Sequence, residues 1–69
     1  MSEVDKLKHI ATNTNLNSWE RVRAVEGLKE VGTHKAMLAL LDVAGYEELY
    51  AWERAAALAK ARELLKQTS

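Results

Sequence analysis

The stretch WERVRAVEGLKEV at residues 19–31 recurs 33 residues later as WERAAALAKAREL at residues 52–64. The alignment extends beyond these segments without a gap, so that Leu7 falls on Leu40. A period in this range is typical of stacked helical hairpins. The duplication therefore predicts two copies of one all-α unit. The shared tripeptide marks equivalent structural positions, which are Trp19, Glu20 and Arg21 in the first copy and Trp52, Glu53 and Arg54 in the second.

Capping residues and glycines divide each copy into two helices. Ser2 and Asn17 are each followed three residues later by an acidic residue, which is typical of a helix start. Gly32 and Gly45 stand where helix C-caps belong, and Thr33 can cap the helix that follows. We expect one domain covering residues 1–69, with helices at about 3–12, 18–31, 34–44 and 48–66.

Differences between the copies predict how the helices are arranged. Helix 1 carries charged residues where helix 3 is apolar nearly all round, so helix 1 belongs at an end and helix 3 at the centre, covered on several sides. Helix 4 has a small, uncharged face and forms the open end, with Leu58 and Leu65 available there. The expected fold is two stacked antiparallel hairpins in a short α-α superhelix. A compact four-helix bundle, closed by helix 4, is the alternative.

Composition excludes several classes of protein. Ten basic and ten acidic residues give zero net charge, which argues against nucleic acid as the main partner. The longest apolar run, residues 36–41, is far shorter than the roughly 20 residues that span a membrane. The sequence contains no cysteine and begins without the pattern of a secretion signal. We therefore expect a cytoplasmic protein that does not bind membranes.

The segment 19–44, WERVRAVEGLKEVGTHKAMLALLDVA, resembles a HEAT-like repeat of the bacterial phycobilisome-lyase type. The resemblance covers one full repeat, flanked by single helices at residues 4–11 and 52–65. The turn at residues 32–35 departs from the family, which usually has an Asp-Pro pair there, and this chain has no proline. The matching residues are Val22, Arg23, Ala24, Val25, Leu28, Val31, Gly32, Ala36, Ala39, Leu40 and Leu41.

The resemblance implies binding rather than catalysis. HEAT-like proteins are scaffolds and adaptors whose concave face is lined by the second helices, here helices 1 and 3. The implied function is a non-enzymatic protein-interaction module that uses no cofactor, with another protein or a second copy of itself as the partner. Some relatives act on chromophore-binding proteins and some bind DNA. A nucleic-acid-binding or regulatory helical domain is therefore the alternative function.

The repeated tripeptide itself has two interpretations. Trp19 and Trp52 are either exposed anchors for a partner or packing residues between the copies, and we favour partly buried packing because helix-spaced aromatics in small domains usually lie in the core. The Glu-Arg pairs either remain solvated or form a ladder in which an arginine of one copy meets an acid of the next. Exposed pairs of this kind contribute only about 0–1 kcal/mol.

Partner binding and metal binding require other residues. Asp5 and His9 share one face of helix 1, but no third ligand accompanies them, so an exposed histidine is favoured over a metal site. Stacks of this kind usually need three or more units, so the open end of helix 4 is expected to dock onto a second copy or a larger protein. The candidate partner-binding residues lie where the copies differ or at that end: Lys6, His9, Lys35, Asp42, Ala55 and Ala59.

Overall fold

The structure is a computed structural model that describes residues 2–68, and this part of the chain folds into four α-helices. The predicted all-α fold is confirmed. None of the helices in the described range is long and apolar enough to cross a membrane. The helices are α1 (Glu3–Ala11), α2 (Ser18–Val31), α3 (His34–Ala44) and α4 (Ala51–Thr68).

Side-chain caps start the first three helices, as the sequence predicts. The Ser2 hydroxyl accepts a hydrogen bond from the backbone N–H of Asp5 at 3.2 Å. Asn17 accepts one from Glu20 N–H at 2.9 Å, and Oε1 of Glu20 accepts one from Asn17 N–H at 3.4 Å, which completes a capping box. The Thr33 hydroxyl caps α3 by accepting one hydrogen bond, from the backbone N–H of Ala36 at 3.1 Å. Local hydrogen bonding therefore sets where these helices begin.

Helix α4 begins at Ala51, three residues later than the predicted start at about residue 48. The backbone N–H of Tyr50 donates to Oε1 of Glu53 at 3.0 Å, and this bond places Tyr50 at the helix cap. The preceding residues, 46–49, form turns instead of a first helical turn. The second copy thus starts its long helix at the position equivalent to that in the first copy.

The two end-of-helix glycines have different conformations. Gly32 has a φ of 67°, the left-handed geometry in which glycine avoids the cost that a Cβ would bring. Gly45 closes α3 with a φ of −89°, which is right-handed and open to any residue. The predicted glycine C-cap is therefore required by backbone geometry only after α2.

The helices pack as two stacked hairpins. Helix α1 pairs with α2 and α3 pairs with α4, while α2 also lies against α4 and α1 against α3. Across residues 2–68, α1 and α4 make no contact, and they lie at opposite corners of a ring in which α1, α2, α4 and α3 follow one another. Both the predicted stack of two hairpins and the alternative compact bundle account for this ring.

The core lies where α2 and α3 meet their neighbours. Leu28, Leu40 and Val43 are fully buried, and burying each such side chain contributes about 1.5–3 kcal/mol. Small residues, including Ala36 and Ala57, are buried between helices and permit their close approach. This core connects both hairpins and fixes the stack.

Helix α3 is central, but the expectation that neighbours cover its apolar surface is only partly right. It contacts all three other helices. Leu38 and Leu41 nevertheless remain 47% and 43% exposed. They align with Asp5 and Lys8 of the first copy and lie on the side of α3 that no described helix covers. The stack therefore ends in an apolar surface.

Candidate functional site

Both repeated tryptophans are exposed, so the prediction that they pack between the copies is wrong. Trp19 is 65% exposed and Trp52 is 55% exposed. The buried stripe of α2 runs through Arg21, Ala24 and Leu28. Because each helical residue advances about 100°, Trp19 points roughly 200° away from Arg21, toward solvent. The repeated position is an outer surface position of the stack.

The two indoles line a common groove between α2 and α4. The groove has a volume of about 470 Å³. The guanidinium of Arg23 lies 5.3 Å from the centre of the Trp19 ring, within the range of a cation–π contact. The same guanidinium group lies 3.9 Å from the Glu26 carboxylate. We call this site the tryptophan groove; its lining residues are Ser18, Trp19, Val22, Arg23, Glu26 and Trp52.

A buried ion pair holds the two copies together behind this groove. Nε of Arg21 donates to Oε2 of Glu53 at 2.8 Å, and both side chains are almost completely buried. Arg21 also donates through its terminal nitrogens to the backbone oxygen of Leu16 and to the Ser18 hydroxyl. The ladder interpretation of the repeated Glu-Arg pair is therefore the one that the structure bears out.

The environment of Glu53 favours its charged form. Burial raises the pKa of the Glu53 carboxyl. Hydrogen bonds from Arg21 and from the backbone N–H of Tyr50 lower the pKa by more than burial raises it, so that it lies below the ordinary glutamate value. A buried carboxylate with an arginine partner is stable, whereas the same carboxylate alone would carry a large desolvation cost. Glu53 is therefore a structural anion whose charge depends on Arg21.

Three exposed ion pairs supplement the buried one between the hairpins. Lys8 meets Asp42 at 2.8 Å. Lys29 meets Glu63 at 3.4 Å. Lys35 lies 3.6 Å from Asp5 and donates to the Ser2 hydroxyl. Exposed pairs of this kind contribute about 0–1 kcal/mol each, so they add little to the stability of the stack.

The structure does not gather the predicted partner-binding residues into one site. Lys6 and His9 are exposed on α1, while Ala55 and Ala59 are exposed on α4, which α1 does not touch. Lys35 and Asp42 take part in the ion pairs just described. His9 belongs to no cluster of three potential metal ligands among residues 2–68.

The two ends of the stack are further candidate surfaces. At one end, a groove of about 400 Å³ between α1 and α2 exposes Ile10 and Glu20 beside Leu7. We call this the N-terminal end face. At the other, α3 and α4 present a surface that includes exposed apolar and basic side chains. This C-terminal end face consists of the exposed residues Leu38, Leu41, Leu58 and Arg62 and of the half-buried Arg54, which lies about one helical turn before Leu58 on α4.

Sequence reasoning anticipated the open end of α4 but missed the contribution of α3. The signal was present in the alignment of the copies. Leu38 and Leu41 align with Asp5 and Lys8, which are charged residues of an end helix. Large apolar residues at positions that are charged in the other copy indicate an uncovered surface, since large exposed apolar patches mark interaction sites.

Comparison of the chain with protein-family models, with curated proteins and with solved structures found no match. The function is therefore argued from the chemistry of the surfaces themselves.

Proposed function

We propose that this chain is a non-enzymatic protein-interaction module of the HEAT-like type, acting in the cytoplasm as an adaptor or regulatory scaffold. The observation that carries the proposal is the pair of exposed tryptophans, Trp19 and Trp52, on one groove. Tryptophan is among the residues most enriched at the energetic centres of protein interfaces. A small domain that places one in each copy at the same outer position has a continuous surface for a partner.

The chemistry of the groove suggests what it holds. Two indole faces and Val22 provide an apolar floor, while Arg23 and Glu26 provide a polar rim of both charges. A segment of another protein that inserts an apolar or aromatic side chain between the indoles would gain hydrophobic burial. Its neighbouring polar groups would find hydrogen-bonding partners on the rim. Association of this kind needs no cofactor.

Nucleic-acid binding is less well supported. Six basic side chains lie in ion pairs with acidic ones, so they do not form a basic surface that phosphates could neutralise. The pairs join Arg21, Arg23, Lys8, Lys29, Lys35 and Lys60 to carboxylates. This alternative would be supported if the chain bound duplex DNA with an affinity that falls steeply as the salt concentration rises.

A matched pair of surface variants tests the proposal. The wild type, a Trp19→Ser, Trp52→Ser double variant and a Leu38→Ser control are used to capture proteins from the source cell. Leu38 is also a large exposed apolar residue, but it lies on α3 away from the groove. We expect the same partner to bind the wild type and the control and to be lost from the tryptophan variant. A partner lost only from the Leu38→Ser protein would place binding elsewhere.

A further inference from the structure

The arginine that joins the hairpins has an equivalent at the end of the stack. Arg54 stands at the position of Arg21 in the second copy. Its Nε atom is buried and has no hydrogen-bond partner among the described residues. In Arg21, the same atom is the one that donates to Glu53. Because the chain itself covers this atom, a link to an acid from another molecule requires the guanidinium of Arg54 to turn outward; Arg54 is only half-buried, so its side chain has an opening to solvent.

The opposite end of the molecule carries the matching acid. Glu20 stands at the position of Glu53, and the two carboxylates are held alike. Oε1 of Glu20 accepts from the cap N–H of Asn17, as Oε1 of Glu53 accepts from that of Tyr50. In Glu53 the other oxygen, Oε2, receives the arginine. The equivalent oxygen of Glu20 is therefore oriented by its own cap toward the N-terminal end face.

A second charged pair repeats the relationship. Lys29 of the first hairpin meets Glu63 of the second at 3.4 Å. At the equivalent positions, Arg62 lies on the C-terminal end face, and Glu30 lines a groove with Leu7, a residue of the N-terminal end face. Arg62 and Glu30 are both exposed. The two ends therefore have complementary charges at two positions, in the same order as inside the molecule.

At each end of the stack, an apolar residue is exposed whose equivalent inside the stack is buried. Leu58 is 44% exposed, whereas its equivalent, Val25, is buried. Ile10 is 37% exposed, whereas its equivalent, Val43, is completely buried. Each end thus exposes a residue type that the stack buries internally. Covering both would recover the hydrophobic free energy that the isolated molecule forgoes.

We propose that copies of this chain associate head to tail, with the C-terminal end face of one copy on the N-terminal end face of the next. Arg54 then donates to Glu20 of the next copy, and Arg62 meets Glu30. This heterologous contact continues the internal stack and leaves a free end on each side, so it extends into short open chains. The N-terminal end face shares Trp19 and Arg23 with the tryptophan groove, whereas the C-terminal end face shares no residue with it, so Leu58→Glu tests the association without altering that groove.

A two-fold pairing of C-terminal end faces is the competing arrangement. It would oppose Arg54 and Arg62 of one copy to the same residues of the other, and like charges across an interface are unfavourable. It would also leave Nε of Arg54 without an acceptor. The head-to-tail arrangement provides a carboxylate for each guanidinium.

The contact between neighbouring copies should be weaker than the contact between the two hairpins of one molecule. The exposed pair of Lys8 and Asp42 has Leu41 and His9 as its equivalents, which carry no opposite charges. Lys35 meets Asp5 inside the molecule, but the equivalents of these residues are Ser2 and Leu38. We therefore expect association that depends on protein concentration, not a permanent assembly.

Sedimentation velocity with end-blocked variants tests this arrangement. Ile10→Glu places a charge on the N-terminal end face, and Leu58→Glu places one on the C-terminal end face. Each should raise the apparent Kd by about tenfold or more, because a charge would be buried without a partner. Both residues are exposed in the single molecule, so the fold should persist, and circular dichroism verifies this.

The decisive sample is the mixture of the two variants. Alone, each variant should sediment as a monomer at concentrations where the wild type forms dimers and longer species. Mixed in equal amounts, they retain one intact face each and should form a dimer that grows no further. A Glu47→Lys control, altered in the exposed α3–α4 loop, should assemble like the wild type.

Three results would overturn the proposal. The first is a wild type that stays monomeric at every concentration tested. The second is a variant that dimerises on its own, which would indicate two-fold pairing. The third is a mixture that sediments as monomers only. Charge reversal adds an independent check: Arg62→Glu and Glu30→Lys should each weaken assembly, and their mixture should again form chains in which the two variants alternate, because every junction then pairs opposite charges.

Discussion

Nε of Arg21 lies 2.8 Å from Oε2 of Glu53, and this buried contact joins the two copies of the repeated unit. The arginine comes from α2 and the carboxylate from α4, at positions one residue apart in the repeat. The contact therefore depends on the offset between copies and on the register of the two helices. It uses the arginine of the first tripeptide and the glutamate of the second, while both tryptophans lie outside the core.

Replacing Arg54 should have little effect on the stability of the single molecule. Its Nε is buried and has no hydrogen-bond partner within residues 2–68, and an unsatisfied buried donor costs about 1–3 kcal/mol. Arg54→Met keeps the aliphatic reach and removes that donor, so the free energy of unfolding should rise or change by less than about 1 kcal/mol. Urea unfolding at low protein concentration measures this. A loss above about 2 kcal/mol would mean that Arg54 already has a stabilising role in the monomer.

The stability of the fold should decrease in acid because of Glu53. Its pKa in the folded protein lies below the unfolded value of about 4.3, so its contribution is complete above that pH. The contribution is lost as pH falls through the folded pKa. Glu53→Gln should cost about 1.5–3 kcal/mol at neutral pH, the range for a hydrogen bond to a charged group.

The pH dependence of this difference is the test of the charge. Urea unfolding of the wild type and Glu53→Gln is compared at neutral pH and well below the ordinary glutamate range. The difference in the free energy of unfolding between the two proteins should become smaller in acid, where Glu53 becomes neutral. A difference that stays constant with pH would show that hydrogen-bond geometry, and not charge, stabilises the contact.

Alanine should have opposite effects at Gly32 and Gly45. Gly32 has a φ of 67°, where a residue with a Cβ costs about 1–2 kcal/mol, so Gly32→Ala should destabilise the protein by that amount. Gly45 has a right-handed conformation, and an added Cβ would meet its nearest atom at an ordinary 3.6 Å. Gly45→Ala should stabilise the protein by about 0.4–1 kcal/mol by restricting the unfolded chain. Thermal unfolding distinguishes the two, and equal signs would contradict the difference in backbone geometry.

The tryptophans should matter little for stability. Both are more than half exposed, so Trp19→Ser and Trp52→Ser should each change the free energy of unfolding by less than about 1 kcal/mol. Leu40→Ala, in the core, should cost about 2–5 kcal/mol. If either tryptophan variant approached the cost of the Leu40 variant, the residue would be a packing residue after all.

Local signals and the repeat allowed most of the fold to be predicted. The caps at Asn17 and Thr33 depend only on neighbouring residues, so sequence reasoning found them. The Arg21–Glu53 link was one of two alternatives, because a duplicated pair suggests a ladder without naming the partners. Burial of Glu53 depends on tertiary packing and gave no local signal.

The solvent-facing side of α2 could not be chosen from the sequence. The helix has apolar residues at Trp19 and Val22 as well as along the stripe that includes Val25 and Leu28. Periodicity alone therefore does not identify the buried face. The deciding residue was Arg21, which lies on the buried stripe because Glu53 neutralises it. Because Arg21 occupies a core position, Trp19 faces the solvent, whereas we expected it to pack between the two copies.

The measurement that tests the account most directly is a double-mutant cycle on Arg21 and Glu53. Arg21→Met, Glu53→Gln and the double variant are unfolded with urea beside the wild type, in a fixed concentration of sucrose that keeps all four folded. The same cycle on the exposed pair Lys8 and Asp42 serves as the control. We predict a coupling energy of about 2–3 kcal/mol for the buried pair and at most about 1 kcal/mol for the exposed pair. A coupling energy below about 0.5 kcal/mol for Arg21 and Glu53 would contradict the claim that this contact joins the two copies.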